Sequence, residues 1–113
     1  MLEALKRLIE EQSKNIIPGY LPTLDSIALK KTGSRFLDLF FSKPSKAYEL
    51  LLEFYKDENT VDFLIVTVFL KPIAIKLNRL GLELHLLTLI KKKNDNDILK
   101  IFIELEKQLQ RKQ

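Results

Sequence analysis

The sequence contains no cysteine, a single histidine and only three glycines among its 113 residues. Each scarcity removes a class of chemistry. Without cysteine there are no disulfides, thiolate metal sites, iron–sulfur clusters or cysteine nucleophiles. The same absence fits a reducing cytoplasm, which is the expected location. The glycines, Gly19, Gly33 and Gly81, each stand alone at a segment end, so no glycine-rich loop is available to cradle a phosphate. Long apolar runs are missing as well. A membrane-spanning helix needs about 20 predominantly apolar residues. The best run, 63–70, is bracketed by Asp62 and Lys71. Glu3, Lys6 and Arg7 interrupt residues 2–9, so no secretory h-region is expected there. No membrane partner is expected.

What is present describes one domain spanning residues 1–113. Apolar residues make up 46% of the chain, the usual share for a globular protein. The net charge is +4, and its distribution is uneven. Residues 1–60 hold nine basic and nine acidic side chains, whereas residues 61–113 hold ten basic and six acidic ones. The entire excess lies in the second half, where it can attract a polyanion.

Helical periodicity and clear punctuation divide the chain. Leu2, Leu5, Leu8, Ile9 and Ile16 share one broad side of a helix over 2–16, which Pro18-Gly19 ends. Pro22 is expected to keep the following linker extended. Thr23 is placed to cap a short helix over 24–32, with Gly33 stopping it in the left-handed conformation. Ser34 is placed to cap 35–41, whose Phe36, Leu37, Leu39, Phe40 and Phe41 demand cover. Pro44 suits the first turn of a helix running to about residue 56. There Tyr48, Leu51, Leu52 and Tyr55 follow i, i+3, i+4, i+7 spacing. Beyond the corner at 78–81, a helix over 82–92 is expected, with a short strand over 82–86 left open. Asn94, Asp95, Asn96 and Asp97 precede a last helix over 98–111, whose mostly polar second half is expected to project or fray.

The segment 61–77 carries the strongest ambiguity. Its first ten residues are rich in β-branched and aromatic side chains, which favours a strand. A buried helix reads the same way. A cap at Asn59 or Thr60, an apolar pattern continuing past Pro72, and helical neighbours all favour helix. Pro72 should kink it, since proline removes one hydrogen bond and clashes one turn back. The expected fold is therefore all-α: a compact bundle of five to six helices around a central, apolar, Pro-kinked one.

No motif carries a recognisable reaction. His85 lies among leucines with no nucleophile at a known spacing. Glu49, Glu53 and Asp57 share one helix face but read as a solvated flank, eased by Lys46 and Lys56. Asp95-Asn96-Asp97 fails the calcium-loop pattern at Leu99 and Lys100. No catalytic, cofactor-binding or metal-ligating residue is assigned, and no cofactor is expected. Residues 24–41 make a poor helix-turn-helix, because the second helix offers phenylalanines where base-reading polar groups belong.

The expected function is a non-enzymatic protein-interaction or regulatory module, binding a protein partner or a second copy of itself. Phe36, Phe40, Phe41, Tyr48 and Tyr55 are its candidate partner surface if part of that aromatic patch is exposed. The alternative is nucleic-acid binding through Lys91, Lys92, Lys93, Arg111 and Lys112. That reading requires these side chains to converge on one face free of acids.

The stretch Leu21-Pro22-Thr23-Leu24-Asp25 through Gly33, then Lys43-Pro44 with Tyr48 and Leu51-Leu52, then Leu70-Lys71-Pro72, resembles small all-helical archaeal domains of unknown function. The resemblance implies helical architecture and carries over no functional residue. The Lys, Glu, Ile and Leu bias is compatible with a thermophilic source.

Overall fold

All regular structure in the computed structural model, which describes residues 2–112, is helical. The elements are α1 (Glu3–Ile16), α2 (Tyr20–Thr32), α3 (Phe36–Ser42), α4 (Pro44–Tyr55), α5 (Glu58–Leu64), a π-helical segment (Ile65–Leu70), α6 (Lys71–Lys76), α7 (Leu82–Lys91) and α8 (Asp95–Lys112). α5, the π segment and α6 form one uninterrupted rod, so the described residues hold seven helices rather than five or six. Gly33 keeps α2 and α3 separate. It turns left-handed at φ 79°, and its N–H closes on Leu29 O at 3.0 Å. The Cα radius of gyration is 13.0 Å, matching the ~13 Å of a compact domain of this length.

The rod runs through the middle of the bundle, and both stretches that could have been strand, 61–70 and 82–86, are helical. Neither has a strand neighbour to satisfy its backbone, whereas a helix closes its own hydrogen bonds. Pro72, expected to kink the rod, is met by a widened turn upstream. Lys71 N–H donates to Val66 O, five residues back, where an α-helix would reach four. Val61, Ile65, Val68, Phe69, Leu70, Ile73 and Ala74 are all buried along its length.

Phe69 anchors the core. Its ring lies 5.1 Å from that of Phe36 and 5.3 Å from that of Phe40. Phe102 on α8 closes the cluster, 5.8 Å from Phe40 and 4.8 Å from Phe41. Ring pairs at these separations add about 0.5–1.5 kcal/mol each beyond simple burial. α3 is thus a seven-residue plug with all five of its apolar side chains buried. Around it, α1 packs along the rod and along α8, while α4 and α7 close the other side.

Three helix starts are capped from outside their own segments. The positions preceding α1, α3 and α4 are Leu2, Arg35 and Lys43, and none supplies a side-chain cap. Carboxylates from distant helices do so instead. Glu106 of α8 accepts the N–H groups of Ala4 (3.1 Å) and Leu5 (2.9 Å). Asp25 of α2 accepts Phe36 N–H at 2.9 Å. Asp95 of α8 accepts Ser45 N–H at 3.1 Å and the Ser45 hydroxyl at 2.9 Å. An unsatisfied helix start costs about 1 kcal/mol, so each contact both caps a helix and fixes a tertiary packing.

Ser34 therefore does not cap α3. Thr23 lies inside α2, which begins at Tyr20 with Pro22 in its first turn, where a missing N–H costs nothing. The rod starts at Glu58, and Thr60 gives its hydroxyl to Asp57 at 2.6 Å rather than capping. The second half of α8 does not project, because Leu105, Glu106 and Leu109 are buried.

Candidate functional site

The aromatic patch expected to meet a partner is core. Phe36 and Phe40 are fully enclosed, Phe41 and Tyr48 are buried, and Tyr55 is half-buried. α3 exposes only its polar positions, Asp38 and Ser42, and turns every aromatic inward. The two tyrosines serve as ties. The hydroxyls of Tyr20 and Tyr55 meet at 2.8 Å, joining α2 to α4. Burial and that hydrogen bond push the Tyr20 phenol well above its usual range.

Tyr48 donates to Asp62 Oδ1 at 2.6 Å, and Lys91 Nζ binds Asp62 Oδ2 at 2.7 Å and Glu58 at 3.0 Å. This network pins α4, the rod and α7 together. Burial, then the bond to Asp62, raises the Tyr48 phenol, and the two carboxylates raise Lys91.

That arrangement also dismantles the basic cluster. Lys91 is spent on Asp62 and Glu58, and Lys93 pairs with Glu49 at 3.1 Å. Lys112 donates to the backbone carbonyl of Lys76. Lys92 and Arg111 are exposed, but α8 separates them, and its 18 residues span about 27 Å. Lys91, Lys92, Lys93, Arg111 and Lys112 therefore do not converge on one acid-free face.

The acidic flank of α4 is likewise dispersed. Glu49 goes to Lys93 and Asp57 to Thr60, while Glu53 pairs with Lys31 at 2.7 Å. The ammonium of Lys31 holds the Glu53 carboxyl below its usual range. Among the described residues, no group of three or more His, Asp or Glu side chains is placed to hold a metal ion. His85 is exposed on α7, with no hydrogen bond from its imidazole to a described residue.

One surface feature is a trough of about 240 Å³ between α1 and the rod. α1 turns Leu5 and Ile9 fully inward. That orientation leaves Leu8, Gln12 and Ile16, at i, i+4, i+8, along the rod-facing flank. The opposite wall is Thr67, Lys71 and Ile75, again one row, with Pro72 and Lys76 beside it. Ile75 is 64% exposed and Ile16 41%. Among the described residues no carboxylate lines the trough, and Lys71 and Lys76 have no acidic partner.

Two other hollows differ in this respect. One, of about 330 Å³ between α1 and α2, contains Glu10 and Asp25 beside Lys14 and Arg35. The other, of about 310 Å³ beside α3 and α8, contains the Lys6–Asp38 pair at 2.9 Å. Sequence reading missed the trough. The signal for it was the polar positions Thr67, Lys71 and Lys76 interrupting an otherwise apolar segment, which mark the rod's outer face.

Comparison with known proteins finds no match: no family model, no curated protein and no solved structure is significantly similar to this chain. No helix among the described residues is long and apolar enough to cross a membrane.

Proposed function

We propose that this protein is a non-enzymatic interaction module that docks a partner protein in the trough between α1 and the rod. The observation that carries this reading is the pair Ile16 and Ile75, large aliphatic side chains held open to water on the two walls of one apolar depression. Covering both is worth on the order of 2 kcal/mol before any polar contact forms. The more conspicuous charged and titratable clusters are already consumed by contacts within the fold, as the ties of Lys91, Glu49 and Tyr48 illustrate. The segment 61–77 then serves both as scaffold and, along its outer row, as docking surface.

Site-specific photo-crosslinking in a lysate of the native cells tests this. A photoreactive residue at position 75 should give discrete protein adducts that Ile16→Asp abolishes. The same residue at the exposed position Leu84 on α7 should not. Equal adducts at both positions, or none at 75, would remove the reading.

A further inference from the structure

We infer that the occupant of the trough is a two-turn amphipathic helix of a different protein, with acidic side chains flanking its apolar face. This inference rests on the docking reading above and adds the chemistry of the partner. Three observations carry it.

The first is shape. Leu8, Gln12 and Ile16 form an i, i+4, i+8 row, as do Thr67, Lys71 and Ile75. Each row is about 12 Å long, or roughly two turns. A groove between two such rows accepts the matching ridge of a third helix.

The second is charge. Lys71 and Lys76 both line the trough; five residues apart on the rod, they lie about 140° apart around its axis and so bring positive charge to it from two sides. Lys112 is held at the same end by its bond to Lys76 O, at 3.2 Å, so a third ammonium extends the positive rim.

The third excludes self-association on this face. A two-fold dimer presents the same patch from both copies. It would set Lys71 and Lys76 against their own counterparts with no lining carboxylate between them. A second copy is thus opposed by like charge where an acidic partner is attracted.

The test is selection from a displayed library of helices about four turns long, with a fixed apolar face and randomised flanks, against the full chain. Selected sequences should be enriched in Asp or Glu beside the apolar face. The double variant Lys71→Glu/Lys76→Glu should weaken their binding about tenfold and should instead take helices with lysine at those positions. Both lysines are exposed, so the thermal midpoint of the variant should fall by no more than a few degrees, the loss of Lys76 at the end of α6 included, which separates a binding effect from misfolding. Binders with neutral or basic flanks, binding indifferent to the charge reversal, or no binders at all would overturn the inference. So would competition by phosphatidylglycerol vesicles, which would assign the trough to a lipid surface. A crosslink at position 75 that persists in the charge-reversed variant would end the acidic-helix proposal while leaving the docking reading intact. Loss of any crosslink in the wild-type chain would end both.

Discussion

Glu106 caps a helix that begins more than 100 residues earlier: its two carboxylate oxygens accept Leu5 N–H at 2.9 Å and Ala4 N–H at 3.1 Å. The same carboxylate takes the Gln110 amide at 2.8 Å, so a buried charge is fully hydrogen-bonded. The positive end of the α1 dipole adds to its stabilisation. Because α1 is one wall of the trough, this contact also sets the position of Leu8, Gln12 and Ile16.

Glu106→Ala should cost about 2 kcal/mol, since it leaves two buried N–H groups without acceptors. Urea unfolding of the variant checks the magnitude. Amide exchange checks the location, with protection lost first in the opening turns of α1. Uniform loss of protection across the chain would contradict a local capping role.

Phe69→Ala should be the most damaging single truncation, at about 4 kcal/mol. Phe69 joins the rings of Phe36 and Phe40 at the meeting point of α3 and the rod. Such a loss is a large fraction of the ~5–15 kcal/mol that holds a domain folded. Phe54→Ala, at an exposed position on α4, should shift the denaturation midpoint far less.

Stability should fall steeply at alkaline pH. In the folded chain the Tyr20 and Tyr48 phenols are held protonated well past the value near 10 at which a free tyrosine ionises. Above that value the folded state binds more protons than the unfolded one. Their contribution is therefore complete below about pH 10 and is lost as pH rises toward the folded values. Lys91, held charged by Asp62 and Glu58, acts in the same direction. Denaturant midpoints measured from pH 9 upward should decline less steeply in Tyr20→Phe/Tyr48→Phe; identical slopes would refute the assignment.

Lys56→Gly should stabilise the protein. Lys56 ends α4 at φ 58°, in the left-handed region that a Cβ disfavours. Relief of that strain outweighs the extra freedom glycine gives the unfolded chain, leaving a gain of about 0.5 kcal/mol. A thermal midpoint raised by roughly 2–4 °C is the expected reading.

Much of the architecture was legible because its signals are local. The spacing of Leu5 and Ile9, the stop at Gly33 and the entry at Pro44 all act within one or two turns, and the structure keeps them. The phenylalanines of 36–41 announced that they needed cover, and they are covered. What failed were inferences about exposure and partnership. Phe36, Phe40 and Phe41 looked equally suited to a core or a docking face. Lys91 and Lys93 looked available until Asp62, Glu58 and Glu49 were brought against them. Ser34 stands next to the start of α3, yet Asp25 caps that helix from α2, and Glu106 and Asp95 cap α1 and α4 from α8.

The sequence by itself determined that this chain is helical, apart from the ambiguous stretches 61–70 and 82–86, where its residues break and which faces are apolar. Periodicity, glycine conformation and proline geometry are properties of a few neighbouring residues. Only the tertiary structure decided which apolar face is inside, which charges are neutralised, and that Ile16 and Ile75 remain open beside Lys71 and Lys76, which have no acidic partner among the described residues. The physical reason is that burial and pairing depend on which distant surfaces meet. A helix carrying more apolar surface than one contact can cover does not name the side it leaves exposed.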